Sequence, residues 1–176
     1  MRAGFGTVSR RAEACGLTPL VAPTERVVDK TENSIRKLVK THGEEGVCPT
    51  ADSWREIFKL GRNGPIHIIN LLKFKQQVDT PEGPISGSAA YGKYTAGVGP
   101  AFARVGGQRL YFGHVGHIFA LGEVCDWDTA IVTRYPSADA LAQMWLSPEF
   151  IEAHKDRADG VERSQVLVFG EQGISG

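Results

Sequence analysis

The sequence has no excess of either charge: 20 Lys and Arg stand against 20 Asp and Glu among 176 residues. With no basic field to gather phosphates, nucleic acid is set aside as a partner. No run approaches the roughly 18 consecutive apolar residues that span a bilayer, so a soluble protein with no membrane partner is expected. Cysteine is scarce. Cys15, Cys48 and Cys125 are odd in number and widely spaced, which reads as reduced thiols of a cytoplasmic protein rather than a disulfide framework or a metal site. Also absent are a phosphate loop, a dinucleotide fingerprint, a Gly-x-Ser-x-Gly elbow and a Cys with an obvious His partner. No cofactor requirement is therefore written in the sequence.

What is present is 41% hydrophobic residues punctuated by 21 Gly and 9 Pro, the make-up of one ordinary globular domain. Residues 1 to about 30 lack periodicity and read as an arm. Arg2, Arg10 and Arg11 give its start a faint likeness to a transit peptide. A short polar helix is expected from Thr31 to His42, and a better one near Ser53, where Ser53 and Glu56 have capping-box spacing and Gly61 ends the run. Strand character follows over Ile66–Phe74, then a loop over Gln76–Gly87 of the kind that often covers a site. A helix is expected over Ala89–Val105, bent or broken at Gly97, Gly99 and Pro100. A long strand over Arg109–Leu121 is expected to bulge near Gly113 or Gly116. Strand Trp127–Tyr135 leads into a helix from Ala138 to Leu146, interrupted at Ser147-Pro148-Glu149, with a second piece running to about Arg157. The last strand is Arg163–Phe169.

From residue 65 this order is β-α-β-β-α-β, the ferredoxin-like α+β split motif with a four-stranded antiparallel sheet. Helices cover one face of such a sheet, and the other face should be polar if it meets water. Here both faces are apolar: Ile66, Ile68 and Leu72 against Ile69 and Leu71, and Val166 and Val168 against Leu167 and Phe169. A second copy of the chain, or the N-terminal 60 residues, must cover the outer face, and a two-fold homodimer is favoured.

Several polar residues are candidates for chemistry. Asn70 sits mid-strand among apolar neighbours, where an unpaired amide costs about 1–3 kcal/mol, so it either finds a partner or orients a ligand in a cavity. Arg134 poses the same question on the third strand, with a carboxylate pair as the alternative to an anionic ligand. Tyr91 and Tyr94 lie at helical spacing. His154 and Arg157 share a helix face. His114 and His117 look like a metal pair, but a spacing of three on a strand sends them to opposite faces. Glu123, Asp126 and Asp128 cluster at a turn where solvated acids are common.

The series Asn70-Leu71-Leu72-Lys73-Phe74, Ala90-Tyr91-Gly92-Lys93-Tyr94, Gly106-Gly107, Trp127-Asp128, Arg134-Tyr135-Pro136-Ser137, Ser147-Pro148-Glu149-Phe150 and Arg157 resembles the domain of unknown function 1330 family. That family belongs to the dimeric α+β barrel superfamily. The resemblance covers about residues 47–170, setting apart an N-terminal arm and short helix over 1–46 and a tail over 171–176. It implies a dimer whose sheets close a barrel, and it names no activity, since relatives range from cofactor-free monooxygenases, isomerases and cyclases to haem proteins. The leading expectation is an enzyme without a dissociable cofactor acting on an aromatic or unsaturated metabolite. Asn70 and Arg134 would stabilise an oxyanion, and Tyr94, His114 or His154 would move a proton. The alternatives are a haem- or metal-binding barrel using His114 or His154, and a non-catalytic ligand-binding dimer.

Overall fold

The computed structural model describes residues 25–117 and 126–170. Helix α1 (Glu25–His42) and helix α2 (Ala51–Leu60) precede a single 3-10 turn, Gly61–Asn63. Strand β1 (Ile66–Phe74) then leads to helix α3 (Gly87–Arg104), strands β2 (Gln108–His114) and β3 (Thr129–Tyr135), helices α4 (Ala138–Trp145) and α5 (Pro148–Gly160), and strand β4 (Val161–Gly170). The sheet order is β2-β3-β1-β4, with every neighbouring pair antiparallel, as in the ferredoxin-like motif.

Register separates the two faces. Ile68 lies opposite Thr133 and Val168, and Asn70 opposite Ile131 and Val166. The inner face therefore carries Ile66, Ile68, Asn70 and Leu72 on β1 with Thr129, Ile131, Thr133 and Tyr135 on β3, because alternate residues share a side. Against it pack Val98 and Ala101 of α3, Leu141 and Met144 of α4, and Phe150 of α5. The two N-terminal helices join the same layer. Ile35, Leu38 and Trp54 are almost fully buried in this core, and Trp54 meets Trp145 edge to face at 5.4 Å. Each such side chain contributes about 1.5–3 kcal/mol by leaving water.

The outer face carries Ile69, Leu71, Val132, Leu167 and Phe169. Leu167 and Phe169 are exposed, and the other three are only partly covered. Because α1 and α2 pack on the inner side, they do not cover this face.

Local chemistry explains where the elements begin. Ser147 caps α5, its Oγ accepting from the Phe150 amide at 3.2 Å while donating to the Met144 carbonyl at 2.6 Å, and Pro148 takes the first helical position. Ser86 and Ser137 cap α3 and α4 in the same manner. Helices α3 and α5 approach so closely that a Cβ on Gly97 would stand 2.9 Å from the Ala153 Cβ.

Several expected boundaries are corrected. Helix α1 begins at Glu25, six residues before Thr31. Helix α2 starts at Ala51 because Thr50, not Ser53, is the cap: its Oγ1 accepts from the Ser53 amide at 3.2 Å. Helix α3 runs on through Gly97, Gly99 and Pro100 without the break that was one of the two expectations there. Its packing along α5 holds the turn in which Pro100 withholds one hydrogen bond. Strand β2 ends at His114 rather than Leu121, and its irregularity lies between Arg109 and Tyr111, not at Gly113 or Gly116. Strand β3 begins at Thr129 rather than Trp127; beside it the Asp128 backbone still bonds Leu72 and Val115, and its carboxylate accepts from the Phe74 amide at 2.8 Å and from Lys73 Nζ at 3.0 Å. Cys15, Glu123 and Cys125 lie outside the described residues.

Candidate functional site

Between the inner sheet face and the helices lies a cavity of about 760 Å3. Ile68, Asn70, Ile131, Thr133, Val166 and Val168 line it from the sheet. Tyr91, Tyr94, Val98 and Phe102 of α3, Met144 and Trp145 at the end of α4, and Arg157 of α5 line it from the helices. Trp54 and residues 46–49 close one side. Leu60 and Val166, both lining residues, are nearly half-exposed, which places the mouth between α2 and the β4 edge. A volume of this size and a mostly apolar, aromatic wall with a few polar groups suit a small organic ligand.

The polar groups of the wall are unevenly charged. Arg157 retains only 7% exposure, and its NH1 is buried with no hydrogen-bond partner. A second guanidinium, Arg109, lines the far side, reached through the β2 edge and lying 5.7 Å from the Phe112 ring centroid. The only carboxylates on the wall are Asp52 and Glu56 of α2, both exposed on the mouth side, and Asp52 is already engaged by Arg55 at 2.6 Å. Arg157 is thus the one buried charge of the wall among the described residues, while Arg109, Asp52 and Glu56 are exposed at its edges. Burial raises the Tyr91 hydroxyl above its usual range, against the pull of Arg157 and Arg109. Tyr94 is pushed up further by burial and by its neighbour Tyr91, so both phenols stay protonated and can donate. Tyr135 donates to Met144 Sδ at 3.4 Å.

Behind the wall, His154 stacks on Phe150 with ring centroids 5.0 Å apart and meets His42 edge to face. Its Nε2 lies 3.6 Å from Cys48 Sγ, and its Nδ1 is buried without a partner. Burial, the Arg157 guanidinium and His42 together lower its pKa to about 4, so the ring is neutral at pH 7. His42 Nε2 in turn meets the Trp145 carbonyl at 2.8 Å.

The sequence candidates fall into two groups. Asn70 and Tyr94 come together on the cavity wall, with Tyr91 and Arg157 beside them. His154 stands one layer back, reaching the cavity through Cys48. Arg134 shares the outer sheet face with Val132, paired in register with His67 and Gln108, away from the cavity. His114 is exposed at the end of β2, its Nδ1 3.3 Å from the Asp128 carbonyl, and His117 is exposed beyond the strand. Asp128 is held below the usual carboxylate range: burial opposes ionisation, but the Phe74 amide and Lys73 outweigh it. Its bonds tie the start of β3 to the end of β1. The 75–86 loop, expected to cover a site, contributes nothing to the wall and instead folds on itself through a Val78–Ile85 bridge. Sequence reading missed Cys48 and its contact with His154, because 106 residues separate the two. Arg157 was read as sharing a helix face with His154 but was not placed among the catalytic candidates, because nothing local shows that α5 turns this residue to the cavity.

The described residues contain no helix long and apolar enough to cross a membrane and no group of three or more metal-binding side chains. No curated protein matches the chain. Among solved structures, the chain is similar to the RPA0582 protein of unknown function from Rhodopseudomonas palustris, at 28% identity and a TM-score of 0.64 over 72% of this chain and 96% of that one. The methylated RPA0582 protein gives 27% identity and a TM-score of 0.66 over 74% and 98%. A cofactor-independent oxygenase from Streptomyces nogalater, SnoaB, is more distant, at 13% identity and a TM-score of 0.41 over 64% and 99%, a likeness that transfers no activity. Residues 84–171 match the model of the domain of unknown function DUF1330, and with half its length matched the chain belongs to that family.

Proposed function

We propose that this protein is a small-molecule enzyme, working without a dissociable cofactor on an aromatic or unsaturated metabolite that carries a carboxylate or an equivalent oxyanion. The observation that carries the reading is Arg157, a buried guanidinium on the cavity wall with an unpartnered NH1. An unpaired buried charge is costly, and an anionic ligand removes that cost with a charge-assisted hydrogen bond. The flat apolar body of the ligand would lie among Trp54, Phe102, Val98 and Trp145. Cofactor-free oxygenation, isomerisation and cyclisation share one demand, stabilisation of a resonance-delocalised carbanion as its enolate or phenolate. Tyr91 and Tyr94, kept protonated by burial, would donate to that oxygen, and the Asn70 amide would orient it.

The half-exposed outer face supports a second part of the reading, a two-fold homodimer in which that face meets its copy. The N-terminal helices lie on the other side of the sheet and leave the face to a partner.

Thermal denaturation with benzoate and cinnamate, compared with benzamide and cinnamamide, tests the ligand class. The carboxylates should raise the melting temperature, by about 2.7 kcal/mol of stabilisation at a hundred times Kd, and the amides should not. The Arg157→Met variant should lose the response. Equal responses to acid and amide, or a response that survives Arg157→Met, would remove the anion-anchoring role.

A further inference from the structure

We propose that Cys48 is a thiol nucleophile of the cavity, adding to the β-carbon of an α,β-unsaturated carboxylate held by Arg157 while His154 takes the thiol proton. The inference rests on the anion-anchoring reading above and adds a covalent step to it.

Three observations meet at this place. Cys48 lies on the cavity wall and is only partly buried. Its Sγ is 3.6 Å from His154 Nε2, a contact within reach of sulfur hydrogen bonding, which is the nucleophile-and-base arrangement expected of an activated thiol. Arg157 follows His154 by three residues on α5, lines the same cavity, is more than nine-tenths buried and has an unpartnered NH1. The arrangement therefore holds an anchor for an anion and, on the same helix face, a base for the thiol.

Burial keeps the pair neutral. It raises the thiol against the pull of Arg157, and together with Arg157 and His42 it lowers the imidazole. The thiol proton therefore passes to His154 as the sulfur attacks, not before. In the step itself the Sγ–Cβ bond forms, the alkene π pair moves to the α-carbon and its carboxylate, and the proton taken by Nε2 is returned to the α-carbon. Atoms and electrons balance with no oxidant, and reversal releases the alkene.

The test compares acrylate with acrylamide as probes on the intact protein. Labelling at Cys48 is followed by peptide mass spectrometry, and each rate is divided by that of 2-mercaptoethanol, a thiol with no other charge, with the same reagent. That ratio removes the intrinsic reactivity of the two acceptors. Acrylate should be favoured over acrylamide at Cys48 by at least about tenfold, as expected of one opposite charge at close range in a partly desolvated site. Arg157→Met should bring the preference to unity, and Arg157→Lys should keep part of it. His154→Gln should slow both reagents at least about tenfold while leaving the preference in place. Saturating benzoate should protect Cys48 of the unmodified protein, which tests the shared site even if Arg157→Met fails to fold. A preference near unity in the unmodified protein, a preference untouched by Arg157→Met, or labelling rates untouched by His154→Gln would overturn the proposal. Carboxylate binding without acrylate preference would remove the thiol step alone; absence of both would remove the anion site as well.

Discussion

Replacing Arg157 by Met should stabilise the ligand-free protein. The side chain keeps 7% of its exposure, and its buried NH1 has no hydrogen-bond partner. A charge so placed has lost much of its hydration and gained little in return. Exchanging buried charged groups for apolar ones of similar volume is neutral or stabilising by about 1–4 kcal/mol, and Met reproduces most of the Arg stem. For a chain of this size each kcal/mol moves the melting temperature by about 2–4 °C. The assay is paired urea and thermal denaturation in buffer without carboxylates or phosphate, with the urea slope checked for constancy so that midpoint shifts report stability alone. A rise in midpoint together with loss of carboxylate binding is the signature of a residue kept for function at a cost in stability. A fall of 1 kcal/mol or more would mean that Arg157 holds the fold together, and the argument for an anion site at its NH1 would fail.

Other perturbations test other parts of the molecule. His154 is pushed down to about 4 from an ordinary value near 6.5, so the unfolded chain takes up its proton first: stability is fully present above about pH 6.5 and is lost as pH falls toward 4. Because the ring is partly exposed, the loss should be about 1–2 kcal/mol after allowance for screening, and His154→Gln should flatten a melting series over that window. A series with the same slope in the variant would remove His154 as its source. Gly97→Val should cost about 1–3 kcal/mol in urea denaturation by wedging α3 from α5, where Ala153 stands 2.9 Å from the added carbon; an unchanged midpoint would show that the helices part freely. Light scattering should give about twice the 19.1 kDa chain mass, falling to one chain mass in Phe169→Glu, and a monomeric unmodified protein would remove the dimer.

What was legible in the sequence follows from how local each signal is. Strand β1 was read to the residue, because Gly64-Pro65 starts it and an unbroken branched run fills it. The α4–α5 break was read from Ser147-Pro148, since cap and proline act within one turn. The ends of β2 and β3 were overextended. Apolar residues continue past His114, and the Asp128 carboxylate at the start of β3 is bonded to Phe74 and Lys73, 54 and 55 residues earlier in the chain, contacts that no local pattern displays. Alternation put Arg134 with Val132 and Ala130, but it could not say which face of the sheet the helices would take. Choosing that face separates Asn70, which meets the cavity, from Arg134, which meets the outer side.

The distribution of the cavity wall along the chain also decides what a family resemblance can carry. Tyr91, Tyr94 and Arg157 lie within the family match of residues 84–171, whereas Asn70, Trp54 and Cys48 lie before it. The proposed anchor and the proposed phenolic donors therefore lie in the segment that matches the family model. The aromatic side wall and the thiol come from residues 46–60, which pack onto the core through Trp54 and its edge-to-face contact with Trp145. A relative that keeps the first set and lacks the second would still bind an anion by the reasoning above, but with a differently shaped pocket and no sulfur beside it. Ligand choice and covalent reactivity are then separable properties: Trp54→Ala should change which aromatic carboxylates bind while leaving their preference over amides intact, because the anion is held from α5 and the shape is set from α2. Loss of the acid-over-amide preference in Trp54→Ala would show that the two halves of the wall do not act independently.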